Sequence, residues 1–285
     1  MKIKNFKDFF IKELLPFYDS MECESFFYLI LEHNHNLKRI DLALNPDKEL
    51  SMDEMIIWNE ILEELKHEIP IQYILGQTSF YGLNFLVDSN VLIPRPETEE
   101  LVDWILKNEK SKNLNLKTIL DIGTGSGCIA ISLAKNLSMS QIYALDISEN
   151  ALKIAQKNAN SNDVSIEFIC QNILETNELP QKFDVIVSNP PYVRESEKYE
   201  INKNVLQNEP HIALFVEDND ELIFYRKIAT LARNYLEPNG NLYFEINQYL
   251  GQETVNLLLN LGFINIELRK DIYGNDRMIK AGIKN

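Results

Sequence analysis

From residue 117 onward the chain alternates short apolar runs with amphipathic stretches, and this alternation constrains the fold more than any other feature. TILDIG reads as a strand, GCIAISLAKNL as a helix, QIYALD as a strand and SENALKIAQKNAN as a helix. SIEFIC and FDVIVSN add two strands. ELIFYRKIATLARNYL is a helix ending near Pro238-Asn239-Gly240, and NLYFEI is a strand. QETVNLLLNLGF gives a last helix, with strands near 263–269 and 277–283. Strands and helices in this order predict an α/β fold, a doubly wound and mostly parallel sheet.

The first part of the chain differs. FKDFFIKELLPFY, SFFYLILEH and MDEMIIWNEILEELKHE carry apolar residues near helical spacing, so residues 1–70 predict a small helical bundle with Trp58 in its core. Ser51 and Glu54 form a capping-box pattern at the third helix. In residues 71–95, SFYGLNFLVD alternates like a hairpin, so this stretch is assigned as a linker. Residues 96–285 form the second domain. Pro96 suits a first helical position, and Glu97, Glu99 and Glu100 suit the positive end of the helix dipole.

Composition narrows the function classes. At 285 residues, 45% of them hydrophobic, the chain can bury two cores. No apolar run approaches the ~18 residues of a membrane span. The N-terminus, broken by charges, reads as an amphipathic helix and not a signal peptide. Three separated cysteines, Cys23, Cys128 and Cys170, argue against a disulfide framework and for a reducing, cytoplasmic setting. The four histidines form no metal pattern, so no metal is expected. A net charge of −15 disfavours nucleic acid as the main partner, because phosphate binding calls for a basic face.

Two short segments carry chemistry. LDIGTGSGCIA (120–130) follows a strand and opens a helix. Its Gly123, Gly125 and Gly127, with Thr124 and Ser126 between them, let a ligand approach the backbone. Asp146 ends the next strand, 23 positions after Gly123, where an acid binds ribose hydroxyls. The spacing is G-x-G-x-G, with Cys128 where a dinucleotide fingerprint has its last glycine. Asp121 would repel a pyrophosphate but suits an ammonium, so the site favours S-adenosylmethionine (SAM) over NAD. After the third strand, Asn172 either accepts a hydrogen bond from an adenine amino group or caps a loop.

The second segment is VSNPPYV (187–193). Two prolines end the strand and stiffen the turn at its C-terminal end. Asn189 precedes a proline and is held extended. Its side-chain oxygen and the Pro190 carbonyl can each take one N–H of a planar –NH₂ group, with the Tyr192 ring on its flat face. Such a nitrogen is a poor nucleophile, and no ordinary side chain deprotonates it. Holding both hydrogens aims it at an electrophilic methyl, which is catalysis by positioning and electrostatics. The alternative is a rigid strand-ending turn with a buried tyrosine.

DIGTGSG, ALDIS, FDVIVSNPPYV and IPRPETEELV together resemble the peptide chain release factor glutamine methyltransferases, the PrmC/HemK family. IQYILGQTSFYGLNFLVDSNVLIPRPETE, NEPHIALF and KDIYGNDR are also similar to its segments, so the resemblance covers nearly the whole chain. It implies a helical N-terminal domain for substrate recognition, a β-hairpin linker and a Rossmann-like seven-stranded SAM-methyltransferase domain. It further implies methylation of the side-chain amide nitrogen of the glutamine in the Gly-Gly-Gln loop of release factors. Gly123–Gly127, Asp146, Asn172 and Asn189 would bind SAM. Asn189, Pro190 and Tyr192 would be catalytic, and with Pro191 they would form the glutamine pocket. Asn172 stands where the family usually has Asp, EIN (245–247) replaces EIG, and FVEDND (215–220) lacks a frequent glycine.

The competing readings are an adenine amino-group methyltransferase acting on DNA or RNA, a non-catalytic SAM-binding module and, more distantly, a NAD-linked dehydrogenase. The first needs a basic groove for a flipped base, whereas Glu60, Glu63, Glu64 and Glu68 make the extra domain acidic in places. The second predicts a degenerate acceptor turn, and Asn189–Tyr192 is intact.

Overall fold

The computed structural model describes residues 1–110 and 117–284, so residues 111–116 and 285 of the second domain lie outside it. The chain divides into two compact units, Met1–Gly76 with Asn202–Asn208 and Gln77–Ile201 with Glu209–Asn285.

The first unit is helical: α1 (Ile3–Leu14), α2 (Ser20–His35), α3 (Arg39–Leu44), α4 (Met52–Lys66) and α5 (Ile71–Leu75). Asp19 caps α2 by accepting from the Met21 and Glu22 amides, and Ser51 and Glu54 form a reciprocal capping box at α4. Trp58 is fully buried, edge-on to Phe6 and Phe10 at 5.5 and 5.7 Å. Its indole N–H donates to His35 Nε2 at 2.9 Å, so a core polar atom is satisfied. The stretch 71–75, read as the start of the linker, is a helix that Gly76 ends in the left-handed conformation. Five residues are too few to show a helical period.

The second unit opens with the hairpin of β1 (Gln77–Phe80) and β2 (Leu83–Leu86). Its two-residue turn has positive φ at Tyr81 (49°) and Gly82 (74°), the twist that suits a tight hairpin. A tyrosine there is strained. The helix α6 (Pro96–Lys110) holds it, since Glu99 accepts from the Tyr81 amide at 2.7 Å.

The strands β3 (Thr118–Ile122), β4 (Gln141–Asp146), β5 (Glu167–Cys170) and β6 (Phe183–Ser188) are joined through α7 (Cys128–Asn136) and α8 (Glu149–Ser161). Two short paired strands, β7 (Val193–Arg194) and β8 (Phe215–Val216), flank in sequence a 3₁₀ turn (Glu195–Glu200), α9 (Lys203–Asn208), which belongs to the first unit, and α10 (His211–Leu214). Then come α11 (Ile223–Tyr235), β9 (Leu236–Glu245), α12 (Gly251–Asn260), β10 (Ile264–Lys270) and β11 (Asp276–Gly282). The seven-stranded sheet has the order β10-β11-β9-β6-β3-β4-β5, with β11 antiparallel to both its neighbours and the other pairings parallel. The helix read through Leu236 stops at Tyr235, because Leu236 already pairs with Phe183 of β6.

Both faces of the sheet are buried, which is why its central strands are almost wholly apolar. Leu120, Ile186 and Phe244 face a cluster with α11 and α12. Ile119, Val185 and Tyr243 face the other cluster, with α6, α7 and the hairpin residues Phe80 and Phe85. Each large side chain buried this way contributes about 1.5–3 kcal/mol before entropy is counted.

Candidate active site

Strand order and register bring the two chemical segments together. β3 and β6 are neighbours, with Ile122 opposite Ser188, and β6 and β9 are neighbours, with Ser188 opposite Phe244. Gly123 and Asn189 therefore leave the sheet side by side at its carboxyl edge, beside Glu245, the last residue of β9. β4 lies on the other side of β3, and Asp146 ends it. This edge, where successive strands diverge to opposite sides, is where open α/β sheets bind ligands.

Gly123, Gly125 and Gly127 all have positive φ (74°, 54° and 83°). The turn is tied to β4, since the Leu145 carbonyl accepts from the Gly123 amide at 2.7 Å. Asp146 accepts from the Gly125 amide at 2.8 Å and the Ser148 amide at 2.9 Å, which fixes its carboxylate at the cleft wall. Each of its oxygens keeps a lone pair for a further donor. Gly127 differs from the other two. A Cβ there would meet Ile131 Cδ1 at 2.9 Å and Ala155 Cβ at 3.2 Å, so this glycine lets α7 pack closely on α8 and does not line the cleft. Gly123, Thr124, Gly125, Ser126, Asp146, Asn172 and Asn189 do line one cleft, as do Pro190 and Pro191.

Three residues sit differently from the simplest sequence reading. Asp121 is fully buried beneath the turn, with one carboxylate oxygen accepting from the Thr124 hydroxyl at 2.7 Å. Its other oxygen has no partner among the described residues, and burial pushes its pKa up to about 7. Asn172 lines the cleft, but its side-chain oxygen accepts from the Leu174 amide at 3.0 Å, the loop-capping role. Tyr192 lies outside the cleft lining, and its ring packs against the cluster of β9 and α11.

Other residues complete the acceptor side. Thr98, in the first turn of α6, lines the cleft and is 2% exposed. Its hydroxyl donates to Glu245 Oε2 at 2.6 Å and accepts from Asn189 Nδ2 at 3.4 Å. The Asn189 side-chain oxygen has no partner among the described residues. Tyr192 donates its hydroxyl to Glu245 Oε1 at 3.2 Å, and its carbonyl accepts from Asn247 Nδ2 at 2.9 Å. Burial raises the Glu245 pKa, against the pull of Thr98 and of the Arg277 guanidinium. Arg95 meets the buried Glu209 at 2.6 Å, which anchors the segment before α6. Asn158, fully buried on α8, donates to the carbonyls of Ser126 and Leu86 and accepts from the Leu86 amide, joining the glycine turn to the hairpin. Sequence reasoning missed Thr98, Glu245 and Asn158 as site residues. The RPETE and EIN segments were visible signals for the first two.

The turn and its donors suit a nucleoside with a cationic tail: backbone amides and a carboxylate at one end, and a planar-group acceptor at the other. Residues 100–215 match the model of the methyltransferase small domain, and residues 20–76 match the PrmC N-terminal domain. A release factor glutamine methyltransferase of Flavobacterium psychrophilum is 60% identical over 285 residues, covering 100% of both chains. The chain belongs to the release factor glutamine methyltransferase family. A second member, from Bacteroides thetaiotaomicron, is 44% identical over 271 residues, 95% of this chain and 96% of that one. A methyltransferase of Pyrococcus furiosus shares the fold with a TM-score of 0.52 at 19% identity, over 73% of this chain and 92% of its own. The family resemblance read from the glycine turn and the Asn-Pro-Pro-Tyr segment is therefore borne out, as is the α/β fold with a seven-stranded sheet.

Proposed function

We propose that this protein transfers a methyl group from SAM to the side-chain amide nitrogen of the glutamine in the Gly-Gly-Gln loop of peptide chain release factors. The observation that carries this reading is the Asn189 side-chain oxygen. It has no partner among the described residues and belongs to a residue that lines the cleft beginning at the glycine turn, while the amide's other end is held by Thr98. When bound, SAM supplies an electrophilic methyl group. Gly123–Ser126 and Asp146 would hold it, with Asn172 and Asn189 along the cleft wall.

The chain's own residues do the rest. Asn189 Oδ1 and the Pro190 carbonyl take the two N–H groups of the carboxamide. Its nitrogen is thereby aligned, and the positive charge that grows on it meets two oxygen dipoles. Alignment of this kind is worth ~7–11 kcal/mol in good cases. The proton leaves only after the N–C bond forms, when the nitrogen is acidic enough to give it to water, so no strong base is required. Glu245 is not placed to act as one, because it is buried and does not line the cleft. Tyr192, fixed at its hydroxyl and at its carbonyl, stiffens the turn from behind the cleft.

The partner in this reading is a release factor, not nucleic acid, and the setting is the cytoplasm. Support comes from the net charge of −15 and from three free cysteines. No helix among the described residues is long and apolar enough to cross a membrane. Labelled SAM offered with a release factor, its loop Gln→Ala form and an adenine-rich oligonucleotide tests the assignment. Label is expected on the intact release factor alone, and label on the oligonucleotide alone would overturn it.

A further inference from the structure

Glu245 poses a physical problem that the reaction as described does not solve. It is a carboxylate with 1% exposure, and burying a charge costs several kcal/mol unless it is paired and hydrogen-bonded. An apolar residue of similar size would be cheaper at the end of a central strand. Among the described residues no cation lies within ion-pair distance of it. Arg277, on the neighbouring β11, spends its Nε on Asp271 at 3.1 Å. The partners of Glu245 are two neutral hydroxyls, and both lead to the acceptor turn.

We propose that Glu245 is a positioning residue for methyl transfer, whose two carboxylate oxygens hold the two ends of the Asn189–Tyr192 turn. This inference rests on the acceptor role of Asn189 proposed above. At one end, Oε1 receives the Tyr192 hydroxyl. At the other, Oε2 receives the Thr98 hydroxyl, and here the polarity of the bond matters. In its ionised form Glu245 can only accept, so the single Thr98 hydrogen is committed to it. The Thr98 oxygen then faces Asn189 as an acceptor and takes Nδ2. Asn189 must therefore turn its oxygen, not its NH₂, toward the cleft. Were the amide reversed, two N–H donors would confront each other and the substrate amide would be repelled. Asn247, two residues beyond Glu245, secures the same turn by donating to the Tyr192 carbonyl and to the buried Glu197.

The near-isosteric Glu245→Gln change inverts this polarity. A glutamine NH₂ can donate to Thr98, which frees the threonine hydrogen to donate to the Asn189 oxygen and flip the amide. Thr98→Val removes the relay, while Thr98→Ser keeps it. The test measures kcat, KM for the release factor, SAM affinity by calorimetry and melting temperature for these three variants beside Asn189→Ala. For Glu245→Gln and Thr98→Val, kcat is expected to fall about 10²-fold, the scale of losing one preorganised polar contact to the reacting group. SAM affinity should fall far less than kcat does, and Thr98→Ser should retain most of the turnover, because these changes touch the acceptor end of the cleft and leave the glycine turn and Asp146 intact. Removing a buried charge should leave the melting temperature of Glu245→Gln unchanged or higher, whereas a merely structural carboxylate would lower it and spare kcat in the folded fraction. If Asn189→Ala collapses while Glu245→Gln and Thr98→Val turn over normally, this inference fails and the acceptor reading stands. If Asn189→Ala itself turns over normally, the acceptor reading fails.

Discussion

Ser188 and Ile122 lie opposite each other on β6 and β3, and the Ser188 hydroxyl donates to the Ile122 carbonyl at 2.7 Å. That bond closes the last rung before the two strands part, so the glycine turn and the Asn-Pro-Pro-Tyr turn start from one fixed point. A methyl donor on the first and an acceptor on the second share a frame that does not need to assemble on binding.

Asn189→Ala should leave the fold intact and cut kcat by two orders of magnitude or more, since it removes an oriented acceptor in a preorganised site. Far-ultraviolet circular dichroism and steady-state turnover check both halves. Turnover near the wild-type level contradicts the role.

Gly127→Ala and Gly125→Ala should separate packing from ligand binding. A methyl at 127 would sit 2.9 Å from Ile131 Cδ1 at a φ of 83°, so α7 and α8 must move apart, at a cost of about 1–3 kcal/mol. At 125 nothing lies within 4 Å, so the cost is confined to backbone strain and to the approach of a ligand. Thermal melting should therefore drop more for Gly127→Ala. At Gly125→Ala, SAM affinity measured by calorimetry should fall more than stability does.

Asn158→Ala removes three bonds that tie α8 to the hairpin and to the Ser126 carbonyl. The buried groups left unpaired cost about 1–3 kcal/mol each where water cannot reach them. Urea unfolding should show a lower midpoint with an unchanged slope. An unchanged midpoint would mean that water replaces the side chain.

Asp121 gives the protein a pH signature of known sign. Its folded pKa of about 7 lies above the ordinary value of 3.8, so the folded state holds a proton that the unfolded state releases. Its contribution to stability is present below the ordinary value and is lost as the pH rises through about 7. A cation bound over the turn favours the ionised form, so SAM should bind more tightly as the pH rises toward about 7 and should release a proton in doing so. Calorimetry in buffers of different ionisation heat measures that proton. Asp121→Asn should abolish the pH dependence, and an unchanged dependence in that variant contradicts the assignment.

What the sequence made legible follows from locality. Two prolines after an apolar run force a stiff strand-ending turn whatever the rest of the chain does, so Asn189 stands out. Three glycines between a strand and a helix likewise mark the cofactor turn. The roles of Thr98 and Glu245 depend on adjacency between residues 147 positions apart, which no local pattern encodes. Gly127 was visible as a glycine, but its closeness to Ala155 required the packing of two helices. In sequence Asn172 admits both a ligand-facing and a loop-capping role, and Tyr192 both a ligand-facing and a buried one. The structure turns the first to its own loop amide and the second to Glu245, because buried or half-buried polar atoms take the nearest partner the fold provides.

The most direct measurement is a crystal structure with a glutamine peptide of the Gly-Gly-Gln loop and the demethylated cofactor both bound. The account predicts both carboxamide N–H groups within hydrogen-bond distance of Asn189 Oδ1 and the Pro190 carbonyl, with Asn189 Nδ2 still on Thr98. A carboxamide bound elsewhere, or an Asn189 side chain presenting its NH₂ to the peptide, would contradict it.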